Sequence, residues 1–201
     1  MTSSIYAPPK ADLTMHGELA GDGFYVVSQR KFLVLFFLTM GWYKLYWYYK
    51  NWSMYKAMNR YTGGIDGDIW PVPRALFPVF FTHSLMREAT AYGATRDRDS
   101  GNDGETTATI VVLLIVAANI VDRVAANGIG NPATTWLAIL FILPLAYYMN
   151  VARQLINDAS GDPQGDSNSN FTWANWIWIV IGTLFWIVVA VGIWALANGY
   201  K

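Results

Sequence analysis

Three long apolar stretches leave this chain few folds to choose from. Thr106 to Ala126, Ala133 to about Ile156 and Trp173 to Ala197 carry almost no charge. A helix needs roughly 20 apolar residues to cross a hydrocarbon core of about 30 Å. Lipid offers the backbone no partner, so each stretch must satisfy its amides internally, as a helix does. The expectation is an all-α integral membrane protein with transmembrane helices near 106–126, 133–156 and 173–197. Asn127 to Pro132 reads as a tight turn between the first two, Pro144 predicts a kink in the second, and Asn157 to Asn170 reads as a polar loop. Trp173, Trp176 and Trp178 at one end of the last span, with Trp194 and Tyr200 near the other, have the placing of an aromatic belt.

The N-terminal half is ambiguous. Residues 1–23 form a polar tail with no signal-peptide pattern, so the first apolar segment is expected to act as the insertion signal. Residues 24–201 read as one helical membrane domain. Lys31 to Trp52 begins apolar, passes through Thr39-Met40-Gly41, and continues as an aromatic run holding Lys44 and Lys50. Its hydrophobic part, 32–49, is marginal for a span. A second element, 75–92, contains Pro78 and then His83, Arg87 and Glu88. Each could be re-entrant, interfacial or spanning. Cations bear on the choice because they concentrate on the cytoplasmic side. If both elements cross, Lys10, Arg30, Lys31, Arg87, Arg96, Arg98 and Arg153 share the N-terminal side. The other side then holds Lys44, Lys50, Lys56, Arg60, Arg74, Arg123 and Lys201, so the 14 Lys and Arg divide seven to seven. If both elements return, only Arg123 and Lys201 are left opposite twelve, which favours a cytoplasmic N-terminus.

Composition excludes several function classes. Charged residues make up 14% of the chain, against about 25% in soluble domains. The formal net charge is zero, so nothing basic points to nucleic acid. There is no cysteine and there are only two histidines, which argues against metal sites. Asp166-x-Asn168-x-Asn170 opens like a calcium loop but puts Phe171 where glycine is needed and Ile177 where glutamate is needed. No phosphate loop, HExxH or Gly-x-Ser-x-Gly appears, so no catalytic residue, metal or cofactor is assigned and the protein is expected not to be an enzyme.

Three groups of residues stand out. His83, Arg87, Glu88, Asn119, Asp122 and Arg123 would form an intramembrane polar cluster, since ionisable groups in lipid are costly and often functional. Trp178, Gly182, Trp186, Ala190 and Trp194 recur every four residues and would form a packing face, small residues allowing close helix approach. Thr39, Gly41, Trp42, Lys44, Tyr46, Trp47, Lys50 and Trp52 read as an interfacial motif, with Lys44 reaching outward to the headgroups.

The segment Thr39 to Trp52 resembles the signature of a family of small, uncharacterised bacterial multi-pass membrane proteins, whose first hydrophobic segment runs Thr-x-Gly-aliphatic-Tyr-x-x-Tyr-Trp-x-Tyr-Lys. Phe24 to Ser28, and Asn168 to Thr172 with Asn175, are similar to other parts of that family. Trp42 replaces its usual aliphatic residue. The resemblance implies a bacterial cytoplasmic-membrane location and no particular activity. The expected function is therefore a non-enzymatic accessory or scaffold subunit, with the bilayer and a protein partner or second copy as its contacts. The alternative is a small transporter or channel with a polar path around His83, Arg87 and Asp122.

Overall fold

The computed structural model describes residues 23–62, 65–98 and 100–197. The N-terminal tail expected at 1–23 lies outside them except for Gly23. Every regular element among the described residues is helical. In chain order these are α1 (Gln29–Leu38), α2 (Tyr43–Thr62), a 3-10 turn at Ile65–Asp68, α3 (Pro71–Leu76), α4 (Pro78–Ala94), α5 (Gly104–Ala126), α6 (Ala133–Leu140), α7 (Ile142–Ser160), a 3-10 turn at Asp166–Asn168, and α8 (Trp173–Ala197). Among the described residues, three segments are long and apolar enough to cross a membrane: Gly104–Ala126, Ala133–Ser160 and Trp173–Gly192.

The two doubtful elements are helical hairpins. The first is broken at Thr39-Met40-Gly41. Met40 and Gly41 adopt left-handed backbone, φ 51° and 79°, which cannot continue a right-handed helix and so ends α1. Gly41 N–H donates to Phe36 O at 2.7 Å, and Thr39 Oγ1 both donates to Leu35 O at 2.7 Å and accepts Tyr43 N–H at 2.9 Å. One hydroxyl thus closes one helix and starts the next. Beyond the break α2 runs back along α1, placing Phe32 against Tyr43 and Trp47, and Phe24 against Tyr55.

Prolines make the second hairpin. Pro71 and Pro73 sit in the first turn of α3, and Pro78 opens α4, where a missing N–H costs nothing. Phe77, just before Pro78, leaves the helical region at ψ 58°, as the residue before proline tends to do. α4 then runs alongside α2 in the same direction: Tyr48 OH meets Thr82 Oγ1 at 2.7 Å and Tyr55 OH donates to Glu88 at 3.0 Å. The helix continues through Arg87 and Glu88 to Ala94, two residues past the expected end at 92.

Both hairpins enter from the end of the bundle that holds Ser28, Ala94, Gly104, Ser160 and Trp173, here called the proximal end. At ten residues, α1 is about 15 Å long, half a hydrocarbon core. Its last residue, Leu38, lies against Gly182 of α8, and Phe77 and Pro78 share a cavity wall with Ile115 and Ala118 of α5. The tips therefore stop near the middle of the full-length helices. α5, α6–α7 and α8 continue to the distal end, marked by Ala126 and Ala133.

The second span differs from expectation in detail. Its break falls at Phe141, between α6 and α7, rather than at Pro144, because a proline ring clashes with the carbonyl four residues back, here that of Leu140. The span also runs on to Ser160, four residues past the expected Ile156, and stops at Gly161 with φ 83°. α5 starts at Gly104, with Asp103 accepting N–H bonds from Glu105 and Thr106.

Candidate functional site

An extended strip, Phe24 to Ser28, leads into α1 with Phe24 and Val27 buried and no sheet to pair with among the described residues. Side chains take the sheet's place. Phe24 N–H donates to Ser160 Oγ at 3.1 Å, and Tyr25 N–H to Asn51 Oδ1 at 3.0 Å. Val27 N–H donates to Asn157 Oδ1 at 3.2 Å, while Val27 O accepts from Asn157 Nδ2 and Arg153 Nη1, both at 3.0 Å. Asn168 Nδ2 donates to Val26 O at 2.8 Å. Arg153, 1% exposed, also reaches Asn150 Oδ1 and Gln154 Oε1. Lys31, 2% exposed, donates to Asn168 Oδ1 at 2.6 Å and Asn170 O at 2.7 Å. This network locks the first hairpin to α7 and to the loop before α8. Sequence reasoning missed Asn157 and counted Arg153 only among the cations that bear on topology.

The interfacial motif divides. Trp47 and Trp52 are fully buried, with Tyr48, Phe32 and Phe36 in the core, so their interfacial placing is corrected: the fold-back at Gly41 turns that helix face inward. Arg74 stacks over the Trp52 ring at 4.4 Å, and Lys50 lies over Tyr25. Trp42 and Tyr46 remain exposed. With Thr39, Tyr43 and Trp178 they line a slot of about 210 Å³ between the first hairpin and α8.

The polar residues form two groups instead of one cluster. His83, Arg87 and Glu88 lie toward the proximal end. His83 Nε2 contacts Thr109 Oγ1 at 3.1 Å, and Arg87 pairs with Glu88 at 3.0 Å. Asn119 and Asp122 lie thirteen or fewer residues further along α5 than Thr109, which for Asp122 is about 20 Å, beyond the apolar Ile110–Ala118. Arg123 is exposed one turn from the distal end.

Asn119 and Asp122 instead share a cavity with Lys44. All three line a cavity of about 610 Å³ beneath the hairpin tips, together with Trp42, Phe77, Phe141 and Leu145. Lys44 Nζ donates to Gly41 O at 3.3 Å, and Asp122 is near enough to act on its charge. Asn119 Nδ2 donates to Ile115 O at 2.7 Å, leaving its Oδ1 as an acceptor. The expected outward reach of Lys44 to the headgroups of its own end is corrected: it sits at the hairpin tip and lines the space toward the distal half.

The stripe on α8 also divides. Gly182 is buried against the Leu38 carbonyl, where a Cβ would collide with backbone. Trp186 Nε1 donates to Phe37 O at 2.9 Å. Trp186 thus adds a second donor to Phe37 O, which already accepts Met40 N–H at 3.1 Å, and Gly182 lets α8 approach the end of α1 closely. Trp178, Ala190 and Trp194 stay exposed. α8 packs chiefly against α1, and Ile181, Leu184, Phe185, Val188 and Val191 point outward. No family model, curated protein or solved structure matches the chain.

Proposed function

We propose that this is a non-enzymatic protein of the cytoplasmic membrane that serves as an accessory or scaffold subunit through contacts with protein and lipid. The observation that supports the reading is α8. It is 25 residues long, it touches the rest of the chain chiefly at the end of α1, and its apolar window is almost entirely exposed. A helix like this is apolar on all sides and has more surface to give a partner than its own fold uses. Exposed Trp176, Trp178 and Trp194 supply the large, amphipathic rings that interfaces and headgroup layers favour. In this reading the hairpins enter from the cytoplasm, where the cations of the proximal end match the positive-inside bias.

The alternative, a polar transport path through His83, Arg87 and Asp122, is weakened by the apolar turns that separate its two halves. The test is purification in mild detergent followed by native mass spectrometry. A stoichiometric partner, or a homo-oligomer that Gly-free substitutions on the exposed side of α8 such as Val188→Lys dissociate, is the expected result. A monomer in detergent and in nanodiscs alike would contradict it.

A further inference from the structure

We infer that the cavity beneath the hairpin tips binds a zwitterionic phospholipid of the distal leaflet, with Lys44 on its phosphate and Asp122 on its ammonium group. The inference deepens the lipid-contact limb of the proposed function and rests on it only in placing the chain in a bilayer.

The cavity has opposite charges at different depths. Lys44 is held at the hairpin tip by Gly41 O, near the middle of the bundle. Asp122 stands four residues before the end of α5 at Ala126, about 6 Å from the distal end at 1.5 Å per residue. A phospholipid entering from the distal leaflet presents its groups in that order, phosphate deeper and ammonium shallower. After its bond to Gly41 O the Lys44 ammonium keeps two donors, which suits a phosphodiester. The Asp122 carboxylate accepts no hydrogen bond among the described residues, and Asn119 Oδ1 lies one turn away on the same helix face. Together they offer acceptors to a primary ammonium, whose three donors need them. The remaining wall, with Phe77, Phe80, Ile139 and Phe141, suits the acyl chains. At about 610 Å³ the space exceeds what one side chain or a few waters fill. Among the described residues Lys44 and Asp122 form no direct ion pair with each other, and charged groups facing a space inside a bilayer are costly without further partners.

The test uses the full chain in detergent micelles, titrated with phosphatidylethanolamine, phosphatidylcholine and phosphatidylglycerol and read by native mass spectrometry. The expected result is retention of phosphatidylethanolamine over phosphatidylglycerol by roughly tenfold, the size of one charge-assisted contact. Asp122→Asn, nearly isosteric at an exposed position, should abolish that preference, while Lys44→Met should weaken retention of all three lipids. Should Lys44→Met fail to fold, Asp122→Asn alone decides. Equal retention of the three lipids by the unaltered chain, or a preference untouched by Asp122→Asn, would overturn the inference. Displacement of bound lipid by soluble phosphoethanolamine at matched concentration would overturn the lipid as the source of the headgroup chemistry. Carbonate extraction of membranes in parallel reports bilayer embedding, so a failure of the wider reading is seen separately.

Discussion

Asn157 shows how a single side chain can do the work of a neighbouring strand. Its amide accepts from and donates to the same backbone unit, Val27, at a position with no exposure. Asn157→Leu leaves the Val27 N–H without its acceptor, and a buried unsatisfied donor costs about 1–3 kcal/mol. Thermal unfolding in detergent should show a loss of that size, and an unchanged melting temperature would refute the role. Gly182 is a second such position. Because a Cβ there meets the Leu38 carbonyl, Gly182→Ala must push α8 off α1, and overpacking of this kind costs about 1–3 kcal/mol. The same variant should raise proteolytic or labelling access to Phe37 and Leu38. The every-four stripe made Gly182 visible in the sequence. Asn157 was hidden inside what read as a polar loop, because helix continuing to Ser160 depends on the packing of Ala152, Leu155, Ile156 and Ala159 rather than on local propensity.

At the scale of elements, the three long helices were legible because lipid imposes length and hydrophobicity together. Their ends were less so. The start of α5 depends on Asp103, an exposed cap whose hydrogen bonds from the Thr106 hydroxyl, and from the Thr106 and Glu105 N–H groups, hold its carboxyl below the usual range. The loop before α8 depends on Asp162. Burial pushes its carboxyl upward, but the Ser167, Asp166 and Gly165 donors outweigh that and leave it below the usual range. Both carboxylates are depressed in the folded state, so their contribution is present above the unfolded value of about 3.9 and is lost as pH falls below it through the folded value. Protection from hydrogen exchange, taken relative to the intrinsic rate at each pH, should therefore fall at Glu105, Thr106 and Gly165–Ser167 in acid, and Asp103→Ala should remove that loss of protection at the first two sites. The hairpins were legible only as alternatives. Thr39-Met40-Gly41 and Phe77-Pro78 are visible breaks, but whether a chain turns back at a break depends on what it packs against afterwards. Here that is ring on ring, Phe32 with Tyr43 and Trp47. An aromatic residue suits a headgroup layer or a protein interior equally well by composition, which is why Trp47 and Trp52 were placed at the interface and found in the core.

The molecule as a whole is an uneven bundle: the proximal half is filled by two hairpins, and the distal half is left to three helices and a cavity. That plan accounts for the buried aromatic core, the separation of the two polar groups, the exposure of α8 and the cavity that Lys44 and Asp122 share. It also makes a statement about sides. Tyr61 and Asn102, at the close of α2 and just before α5, belong to one end of the bundle, and Ile129 in the α5–α6 turn belongs to the other. All three are exposed, and the chain has no cysteine, so Tyr61→Cys, Asn102→Cys and Ile129→Cys each provide a single reactive thiol. Membrane-impermeant maleimide applied to intact cells and to inverted vesicles is the direct measurement. The account predicts that Tyr61→Cys and Asn102→Cys react in the same preparation and Ile129→Cys in the other. Reaction of Tyr61→Cys and Asn102→Cys from opposite sides would mean that the N-terminal elements cross the bilayer, and would contradict it.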